Sequence, residues 1–436
     1  MNRIENVATC ALALLFFSAP AVGQSSFATV VDQAIRNSPG VKSAQNDLVK
    51  AQAGLSVMKD IYVPSVVVGG GLGTAYGITL AIPTIFTVSA QSLVYSPQQR
   101  SYIRSSRLSL KAARYALIDA RDQAAEDAAS TYLALNHDQQ AEAALAQQFG
   151  FAVKLVSIIQ DRVSAHLDTA LDLKKARRDT LQMRLQWMQM QDDLATQRKH
   201  LSQITGIPGS QLVADAASIP EMPAISASDS STLPESPGLL AAEASEQAAV
   251  ASSHGDAQYT WKPIVSFGAQ YGRVSPIENV SQFYNLHGNY NTASIGVDIK
   301  FPILDRVRAA AAKQSAAEAA RQKFNLEALE QKQAESDRSI GRSAEELSVK
   351  AQVAELDYGI ASDELQSVLI ASHNITGAPP LTPKEVEQAR IQERQKYLGM
   401  LDTRLDAQRA EIDYLRQSGK LQDWLQSLNP AVTAPK

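Results

Sequence analysis

The sequence predicts a mainly α-helical protein with a small β part, built from two copies of one unit. Three observations support this fold class. A Ser-Pro-Gly motif followed by an Ala-rich helical pattern occurs twice, with Pro39 and Pro237 lying 198 residues apart. Each copy continues with two short extended segments, which in the second copy alternate apolar and polar residues. Each copy then enters a long polar stretch with helical periodicity, so the chain reads as a tandem duplication.

The repeat divides the chain into five segments. We predict a signal peptide over 1–23, a first repeat over 24–207, a Pro/Ser-rich linker over 208–236, a second repeat over 237–429 and a C-terminal tail over 430–436. Equivalent positions drift from 198 residues apart at the two prolines to 213 apart at Arg177 and Arg390. The extra residues fall in connections, where insertions are tolerated.

The first segment has the features of a secretory signal. Arg3 precedes an apolar run, and Ala21-Val22-Gly23 supplies small residues before a predicted cleavage site at Gln24. The run is shorter than the roughly 20 residues that an anchor helix needs. The single cysteine, Cys10, lies within it, so the mature chain would have no disulfide and no thiol chemistry. The net charge of −4 gives no indication of a nucleic-acid partner.

The helical stretches have matching lengths in the two copies. Between Gln98 and Ile207 there is no proline, and a stripe of small residues follows steps of three and four: Ala113, Ala116, Leu117, Ala120, Ala124 and Ala128. We predict helices from Phe27 to about Asp60, from Gln98 to Ser164 and on to about Ile204, and in the second copy over about 238–259, 305–372 and 384–419. Each unit therefore has one helix of roughly 100 Å beside two shorter helices placed end to end. Such small-residue stripes suit a coiled-coil wall.

The extended segments have two chemically different faces. In TASIGVDIKF, the residues Ile295, Val297 and Ile299 alternate with Ser294, Asp298 and Lys300. This alternation fits a half-buried soluble sheet and also the wall of a membrane barrel. Aromatic residues lie near the strand ends that adjoin the helices, where a barrel would have an interfacial girdle: Tyr62, Tyr95, Tyr259, Trp261 and Phe301. Four strands cannot close a membrane barrel, because the smallest have about eight. Strands that enter lipid would have to be shared by several chains.

This arrangement resembles the outer-membrane efflux protein family, the TolC-like channels. The resemblance covers the chain from Phe27 to about Leu425 and depends on VVDQAIRNSPGVKSAQNDLVKAQAGL, its echo at Ser236-Pro237-Gly238, the segments LVYSPQQRSYIRSSRLSLKAAR and IKFPILDRVRAAAAKQSAAEAAR, and the helix ends LSQITGIPG and LRQSGKLQ. It implies a homotrimer in the outer membrane of a Gram-negative bacterium. Each protomer would contribute four strands to a shared transmembrane β-barrel and its helices to a long periplasmic α-barrel. The implied partners are a periplasmic adaptor protein and an inner-membrane pump.

The resemblance also assigns candidate site residues. The family's entrance is narrowed by acidic residues at the turns farthest from the membrane. The best matches are Glu385 and its repeat partner Asp172, whereas the family's second acidic position falls at Gln388. A second interpretation is that Glu385 and Asp172 are carboxylates favoured at helix starts by the helix dipole. The candidate adaptor-contact turns contain His166, Asp168, Gly377, Pro379 and Pro380.

Other functional classes find less support. The six histidines are scattered, GGGLG does not complete a dinucleotide-binding motif, and no nucleophile elbow occurs. The sequence therefore predicts a non-enzymatic protein without a cofactor or a metal site. The alternative function is a soluble periplasmic coiled-coil adaptor or scaffold, although an adaptor would show one helical hairpin rather than two.

Overall fold

The computed structural model describes residues 25–71, 84–223, 235–258, 262–274, 291–373 and 382–428. The chain divides into two compact units. The first contains residues 1–33, 128–221 and 356–405, and the second contains 34–127, 222–355 and 406–436. Each unit therefore draws on both copies of the repeat, because the long helices pass from one unit into the other.

Eight α-helices and four strands are present in the described residues. The helices are α1 (Phe27–Asn37), α2 (Pro39–Asp60), α3 (Pro97–Ser164), α4 (Ala170–Thr205), α5 (Pro237–Ala257), α6 (Arg306–His373), α7 (Pro383–Gln417) and α8 (Leu421–Leu428). The strands are β1 (Ser65–Gly69), β2 (Thr84–Tyr95), β3 (Ile264–Val274) and β4 (Asn291–Lys300). The helix bounds predicted from the repeat agree with these to within a few residues, apart from the first.

The prediction of one helix from Phe27 to Asp60 is wrong at Ser38. Residues that precede proline are driven out of the helical region by the proline ring, and Ser38 has φ −51° and ψ 129°. Pro39 has no backbone N–H to donate, so it begins α2 at a position where that donor is not needed. Ser236 likewise precedes α5, which begins at Pro237. The repeated Ser-Pro-Gly motif is therefore a helix start in both copies.

The helices of the first unit lie side by side in the order α4, α3, α7, α6. Trp187 of α4 stacks on Phe149 of α3, with ring centroids 6.0 Å apart. Gln148 of α3 donates to the carbonyl of Ile391 of α7 (3.3 Å). Lys396 of α7 donates to Asp357 of α6 (2.7 Å). In the contacts given for the described residues, α4 and α6 lie at the two ends of this row.

The segment from Ser25 to α1 packs on the same unit through contacts with Tyr132. Its ring meets Phe27 of α1 edge-on at 5.5 Å, and both residues are fully buried. Its hydroxyl donates to the carbonyl of Ser25 (2.6 Å) and accepts from the backbone N–H of Asp215 (2.8 Å). Ser25 also forms a β-bridge with Ala214. Part of the predicted linker therefore folds onto the first unit, including two short 3-10 turns at Gly209–Gln211 and Ala216–Ser218.

The second unit contains a four-stranded antiparallel sheet in the order β1-β2-β3-β4. Directly paired residues in this register share one face of the sheet. One row joins Val66, Ala90, Ala269 and Ile295, and the adjacent row joins Val67, Ser89, Gln270 and Ser294. The alternation predicted for β3 and β4 places their apolar residues mainly on one face and their polar residues mainly on the other, whereas β1 is apolar on both faces.

A close helix contact in the second unit depends on small residues. α5 turns Ala244, Ala248, Ala251 and Gly255 inward at steps of four, three and four. Ser105 of α3 donates to the carbonyl of Ala248 (2.7 Å), which requires the two backbones to lie near each other. The predicted small-residue stripe on α3 is in part exposed at Ala116, while Leu117 and Ala124 are buried. Small side chains thus permit close helix packing, as the sequence pattern indicates.

Candidate functional site

The turn between α3 and α4 is held by backbone and side-chain bonds to Arg162. The carbonyl of Arg162 accepts from the N–H of Leu167 (2.8 Å), which closes the end of α3. His166 adopts a left-handed conformation with φ 59°, which lets the chain reverse. The guanidinium of Arg162 then donates to both oxygens of Asp168 (2.9 and 3.4 Å). The turn is therefore closed on itself.

Asp168 also joins this turn to the start of α7. The ammonium group of Lys384 lies 3.1 Å from Oδ2 of Asp168, and the Asp168 side chain is only 9% exposed. Hydrogen bonds from Arg162 and Lys384 lower the pKa of Asp168 despite its partial burial. Asp168 is therefore ionised at neutral pH and forms a link between two parts of the chain that are 216 residues apart.

The predicted entrance carboxylates occupy the same position at two helix starts. Asp172 accepts from the N–H (3.1 Å) and hydroxyl (2.5 Å) of Thr169, and the Thr169 hydroxyl accepts from the N–H of Asp172, which completes a capping box. Glu385 accepts in the same way from the N–H (2.7 Å) and hydroxyl (2.9 Å) of Thr382. These hydrogen bonds lower the pKa of both carboxyl groups. Both residues thus act as helix-cap partners, as the second interpretation expects.

Asp172 and Glu385 remain ionised in these caps, so that their charges can interact with nearby cations. Glu385 lies near enough to Arg162, and Asp172 near enough to Lys384, for each cation to favour the ionised carboxylate. The structure therefore brings the predicted residues Asp168, Asp172 and Glu385 into one charged cluster with Arg162 and Lys384. With three acids and two bases, the cluster carries one net negative charge at neutral pH.

Of the remaining predicted residues of this site, only Gln388 lies among the described residues. Gln388 is exposed on α7 and has no hydrogen bond to the cluster among the contacts of the described residues. The acidic neighbour Glu387 is instead buried, at 8% exposure, and pairs with Arg390 at 3.1 Å. Gly377, Pro379 and Pro380 lie outside the described residues. Their proposed adaptor contact stays a prediction.

Sequence reasoning missed the two cations of the cluster. Arg162 lies in the last turn of α3, and Lys384 lies in the first turn of α7 next to Glu385. A basic residue in the last turn of a helix is usually explained by the helix dipole, so Arg162 gives no separate signal. A lysine is unfavourable at a helix N-terminus, because the helix dipole is positive there. The position of Lys384 is therefore the one sequence feature that indicates its bond to Asp168.

The described members of the predicted aromatic girdle lie at one end of the sheet. Tyr95 ends β2, Phe301 follows β4, and Tyr62 lies in the turn that precedes β1. Tyr95 is 40% exposed and Phe301 is 59% exposed. Tyr259 and Trp261 fall outside the described residues. The three described rings lie at the same end of the strands, which agrees with the girdle hypothesis. The girdle remains a prediction.

The ionised carboxylates of the charged cluster suit electrostatic contacts better than proton transfer near neutral pH. Within the described ranges, no group of three or more His, Cys, Asp or Glu side chains could hold a metal ion. The carboxylates of the cluster have lowered pKa values, which is unfavourable for a general base working near neutral pH. The arrangement is therefore electrostatic and structural.

Comparison with known proteins gives a match only in structure. No protein-family model and no curated protein matches the chain. The outer-membrane channel OprN matches with a TM-score of 0.68 at 16% identity, over 90% of both chains. The Campylobacter jejuni CmeC outer-membrane channel matches at 0.68 and 15% identity, over 91% of this chain and 86% of that one.

The chain has the fold of the TolC-like outer-membrane channels. The Neisseria gonorrhoeae MtrE channel, solved in its open state, adds a match at 0.63 and 14% identity over 91% of this chain and 90% of that one. The alignments cover nearly the whole of each chain, so the likeness extends over both the long helices and the small sheet of this protein. The family resemblance inferred from the duplicated motifs is confirmed at the level of the fold.

Proposed function

We propose that this protein is a passive exit duct in the outer membrane of a Gram-negative bacterium. It would serve a tripartite efflux system or a type I secretion system and export small molecules, metal ions or proteins. A homotrimer would form the duct, and a periplasmic adaptor and an inner-membrane pump would supply the substrate and the energy. The fold shared with outer-membrane channels supports this proposal.

The observation that carries the proposal is the two-faced sheet with exposed outer strands. Within the described residues, β1 and β4 each have a neighbouring strand on one side, and every residue of both strands is exposed. Ile295 is 80% exposed and Val297 is 62% exposed, which is costly in water. Lipid would cover this apolar face, and the polar row with Gln270 and Ser294 would face an aqueous lumen.

Open strand edges require partners from other chains. Three chains with four strands each would give twelve strands, which exceeds the eight or so that the smallest membrane barrels need. In a ring, β4 of one copy would pair with β1 of the next copy. Such a heterologous contact closes when the rotation between copies is a simple fraction of a turn.

The outer helices of the first unit support the same assembly. α4 exposes Leu181, Leu185 and Met188, and α6 exposes Leu356 and Ile360. These residues follow helical steps of three and four, so each helix presents one apolar stripe. Exposed stripes at both ends of a helical row suit a ring in which α4 of one copy packs on α6 of the next.

The levels of the two stripes agree. Thr180 of α4 contacts Ala152 of α3, Gln148 of α3 contacts Ile391 of α7, and Lys396 of α7 contacts Asp357 of α6. Counting residues along the antiparallel helices from these three contacts places Leu185 and Met188 of α4 at the same height as residues 358–361 of α6. Rotational symmetry allows no shift along the axis, so residues at one level would meet between copies.

Cysteine pairs in the outer strands test the trimer directly. Val66 and Ile295 lie in one row but three strand spacings apart, about 14 Å, which is beyond the reach of a disulfide within one chain. We expect Val66→Cys combined with a cysteine at Ala293, Ile295 or Val297 to give covalent trimers in oxidising conditions. Cys10, the one native cysteine, lies in the predicted signal peptide and would not interfere.

The matched control moves the second cysteine to the other face of the same strand. Val66→Cys with Ser294→Cys should give no cross-link, because the two side chains point to opposite sides of the sheet. A protein that needs no detergent, stays monomeric and forms none of the cross-links would favour the alternative function, a soluble periplasmic adaptor or scaffold. Conductance of the purified trimer in planar bilayers would then test the duct itself.

A further inference from the structure

The first part of α3, residues 97–118, contains five basic residues and no acidic one, although the whole chain has a net charge of −4. The five follow steps of four, three, four and three, which places them on one face of the helix. All five are exposed. They form a basic stripe that consists of Arg100, Arg104, Arg107, Lys111 and Arg114.

The basic stripe has no acidic partner in the part of the chain that the structure describes. Its two ring contacts, of Arg100 with Tyr95 (5.8 Å) and of Lys111 with Tyr115 (5.6 Å), leave the positive charges in place. Cations three and four residues apart on a helix repel each other, and Arg100 also lies near the start of α3, where the helix dipole disfavours a cation. The stripe is unfavourable for α3 alone, which indicates an anionic partner outside the chain.

The stripe lies on the side of α3 that faces away from both neighbouring helices. Ser105 donates to the carbonyl of Ala248 of α5 (2.7 Å), and Gln99 donates to the carbonyl of Met58 of α2 (2.6 Å). At 3.6 residues per turn, Ser105 lies about 140° and Gln99 about 100° from the centre of the stripe, in opposite directions. The stripe is therefore free of contacts with α2 and α5.

A cavity of about 510 Å³ lies on the opposite side of the same helices. Small residues of α3, α5 and α6 line it, among them Ser109, Ala249 and Ser315. Ser109 lies about 180° from the centre of the stripe. Three neighbouring helices border one cavity where their row bends around it, so the cavity lies on the concave side of the row. The basic stripe is consequently on the convex side.

Tyr95 connects this convex side to the apolar face of the sheet. Tyr95 pairs with Val265, and Val265 pairs with Ile299, so the three residues share one face. Ile299 belongs to the apolar alternation of β4, which lipid would cover in the proposed duct. Because the guanidinium of Arg100 lies over the ring of Tyr95, the stripe begins on that same side. It therefore faces the outside of the proposed duct rather than its lumen.

We propose that Arg100, Arg104 and Arg107 bind the phosphate groups of anionic phospholipids in the periplasmic leaflet of the outer membrane. This inference rests on the proposed function, because it places the apolar face of the sheet in lipid. β2 ends at Tyr95 and α3 begins at Pro97, so the stripe starts where the strands leave the hydrocarbon. The guanidinium group suits this ligand, since its N–H donors can bind two phosphate oxygens at once.

Distance from the sheet divides the stripe into two parts. The headgroup layer is about 5–8 Å thick on each side of the hydrocarbon. At about 1.5 Å per residue, Arg104 lies about 6 Å and Arg107 about 11 Å beyond Arg100, and long arginine side chains can bend back towards the headgroups. Lys111 and Arg114 lie about 17 and 21 Å beyond Arg100, where salt screens the charge of the membrane surface. The three arginines should therefore bind lipid, and the two lower cations should not.

Lipid binding by the full mature protein in mixed detergent micelles tests the proposal. The probes are fluorescent phosphatidylglycerol, which is anionic, and fluorescent phosphatidylcholine, which has no net charge. We expect the wild-type protein to bind phosphatidylglycerol more tightly, with a preference that falls as the salt concentration rises. Arg100→Gln combined with Arg104→Gln should weaken the binding of phosphatidylglycerol by about tenfold or more. Arg100→Lys combined with Arg104→Lys keeps both charges and should retain most of the preference.

The matched control is Lys111→Gln combined with Arg114→Gln, which removes the same charge from the same helix face beyond the reach of the headgroups. It should change the binding of phosphatidylglycerol by less than about twofold. The proposal is overturned if the wild-type protein does not distinguish the two lipids, a result that would favour an acidic protein as the partner of the stripe. It is equally overturned if both glutamine double variants lose the same affinity, because net charge alone would then explain the loss.

The cross-links between Val66→Cys and Ile295→Cys separate a failure of this inference from a failure of the proposed function. Covalent trimers that show no preference for phosphatidylglycerol would overturn the lipid site and leave the duct standing. Monomers that need no detergent would overturn both, since the stripe would then have no membrane beside it.

Discussion

The Nζ atom of Lys384 lies 3.1 Å from Oδ2 of Asp168 and thereby links the first turn of α7 to the turn that follows α3. The Nε atom of Arg162 donates to the same oxygen, at 2.9 Å. One carboxylate thus links two helical hairpins that belong to different copies of the repeat. In the proposed duct, such a link would restrain the turns at the entrance.

Removal of this link should make the proposed entrance easier to open. We predict that Lys384→Ala raises the open probability of the purified protein in planar bilayers, because the start of α7 loses its bond to Asp168. Because the pKa of Asp168 is lowered, the wild-type link should persist at neutral pH and weaken only when the pH falls through that lowered value. Lys350→Ala removes an exposed i,i+4 pair on α6 and serves as the control. An equal open probability in the wild type and both variants would contradict the prediction.

The two interpretations of Glu385 can be separated with one substitution. Glutamine at this position of a capping box still bonds the backbone of the residue that begins the helix, but it carries no charge. We predict that Glu385→Gln keeps the thermal stability of the protein and lowers its preference for cations over anions in bilayer recordings. Asp172→Asn is the corresponding change at the other helix start. If selectivity is unaffected by both changes, these carboxylates act only as caps.

His137 should make stability dependent on pH in the alkaline range. Burial disfavours its charged form, but hydrogen bonds with Asp138 (2.9 Å) and Asp402 (2.8 Å) outweigh this and raise the pKa to about 9. The folded state therefore holds this proton more strongly than the unfolded state, whose value is 6.5. The stabilisation is complete below about pH 6.5 and is lost as the pH rises through about 9.

We predict that His137→Ala lowers the free energy of unfolding at pH 7 by about 1–3 kcal/mol, the usual effect of losing hydrogen bonds to a charged group. Thermal unfolding at several pH values would measure it, and the difference from wild type should shrink above pH 9. His254→Ala, at an exposed position of α5, is the control. A difference that does not change with pH would show that His137 acts through packing alone.

Gly255 and Gly359 should respond in opposite ways to alanine. A methyl group on Gly255 would lie 2.9 Å from the ring of Tyr102, whereas a methyl group on Gly359 would have no neighbour within 4 Å. We predict that Gly255→Ala destabilises the protein by about 1–3 kcal/mol through overpacking. Gly359→Ala should stabilise helix α6 by roughly 0.5–1 kcal/mol. Chemical denaturation of both variants measures the contrast, and similar effects in the two would count against close packing of α5 on α3.

The apolar stripes of α4 and α6 should control assembly. We predict that Leu185→Asp or Ile360→Asp converts the proposed trimer to monomers, because each change places a charge in a contact that otherwise buries a large apolar side chain, worth about 1.5–3 kcal/mol per interface. Mass measurement in detergent gives the oligomeric state. Gln186→Asp, also exposed on α4 but outside the stripe, should leave the trimer intact.

Much of the secondary structure was predictable because local signals were strong. The long helices could be located from the absence of proline and from the repeat, and the predicted start and end of α3 differ from the observed ones by a single residue at most. The error at Ser38 arose because the predicted helix was continued through Pro39 without regard to the restriction that proline places on the preceding residue. Local rules, applied strictly, would have corrected it.

The candidate site was predictable only in part. Glu385 was found through the family resemblance and Asp172 as its partner in the repeat, and Asp168 was found because it lies in a turn. The bond from Lys384 to Asp168, the burial of Glu387 and the bond from Arg416 to Glu126 could not be found this way. Each depends on which faces of distant helices meet, and the spacing of residues along one helix does not contain that information.

The order of residues along the chain was sufficient to establish the duplication, the helix lengths and the two-faced strands, since each follows from short-range sterics and periodicity. Folding decided which carboxylates pair with which cations, because charges interact through space and partners such as Glu126 and Arg416 are 290 residues apart. It also decided which apolar stripes stay exposed on α4 and α6. Those exposed surfaces are what the proposed assembly would bury.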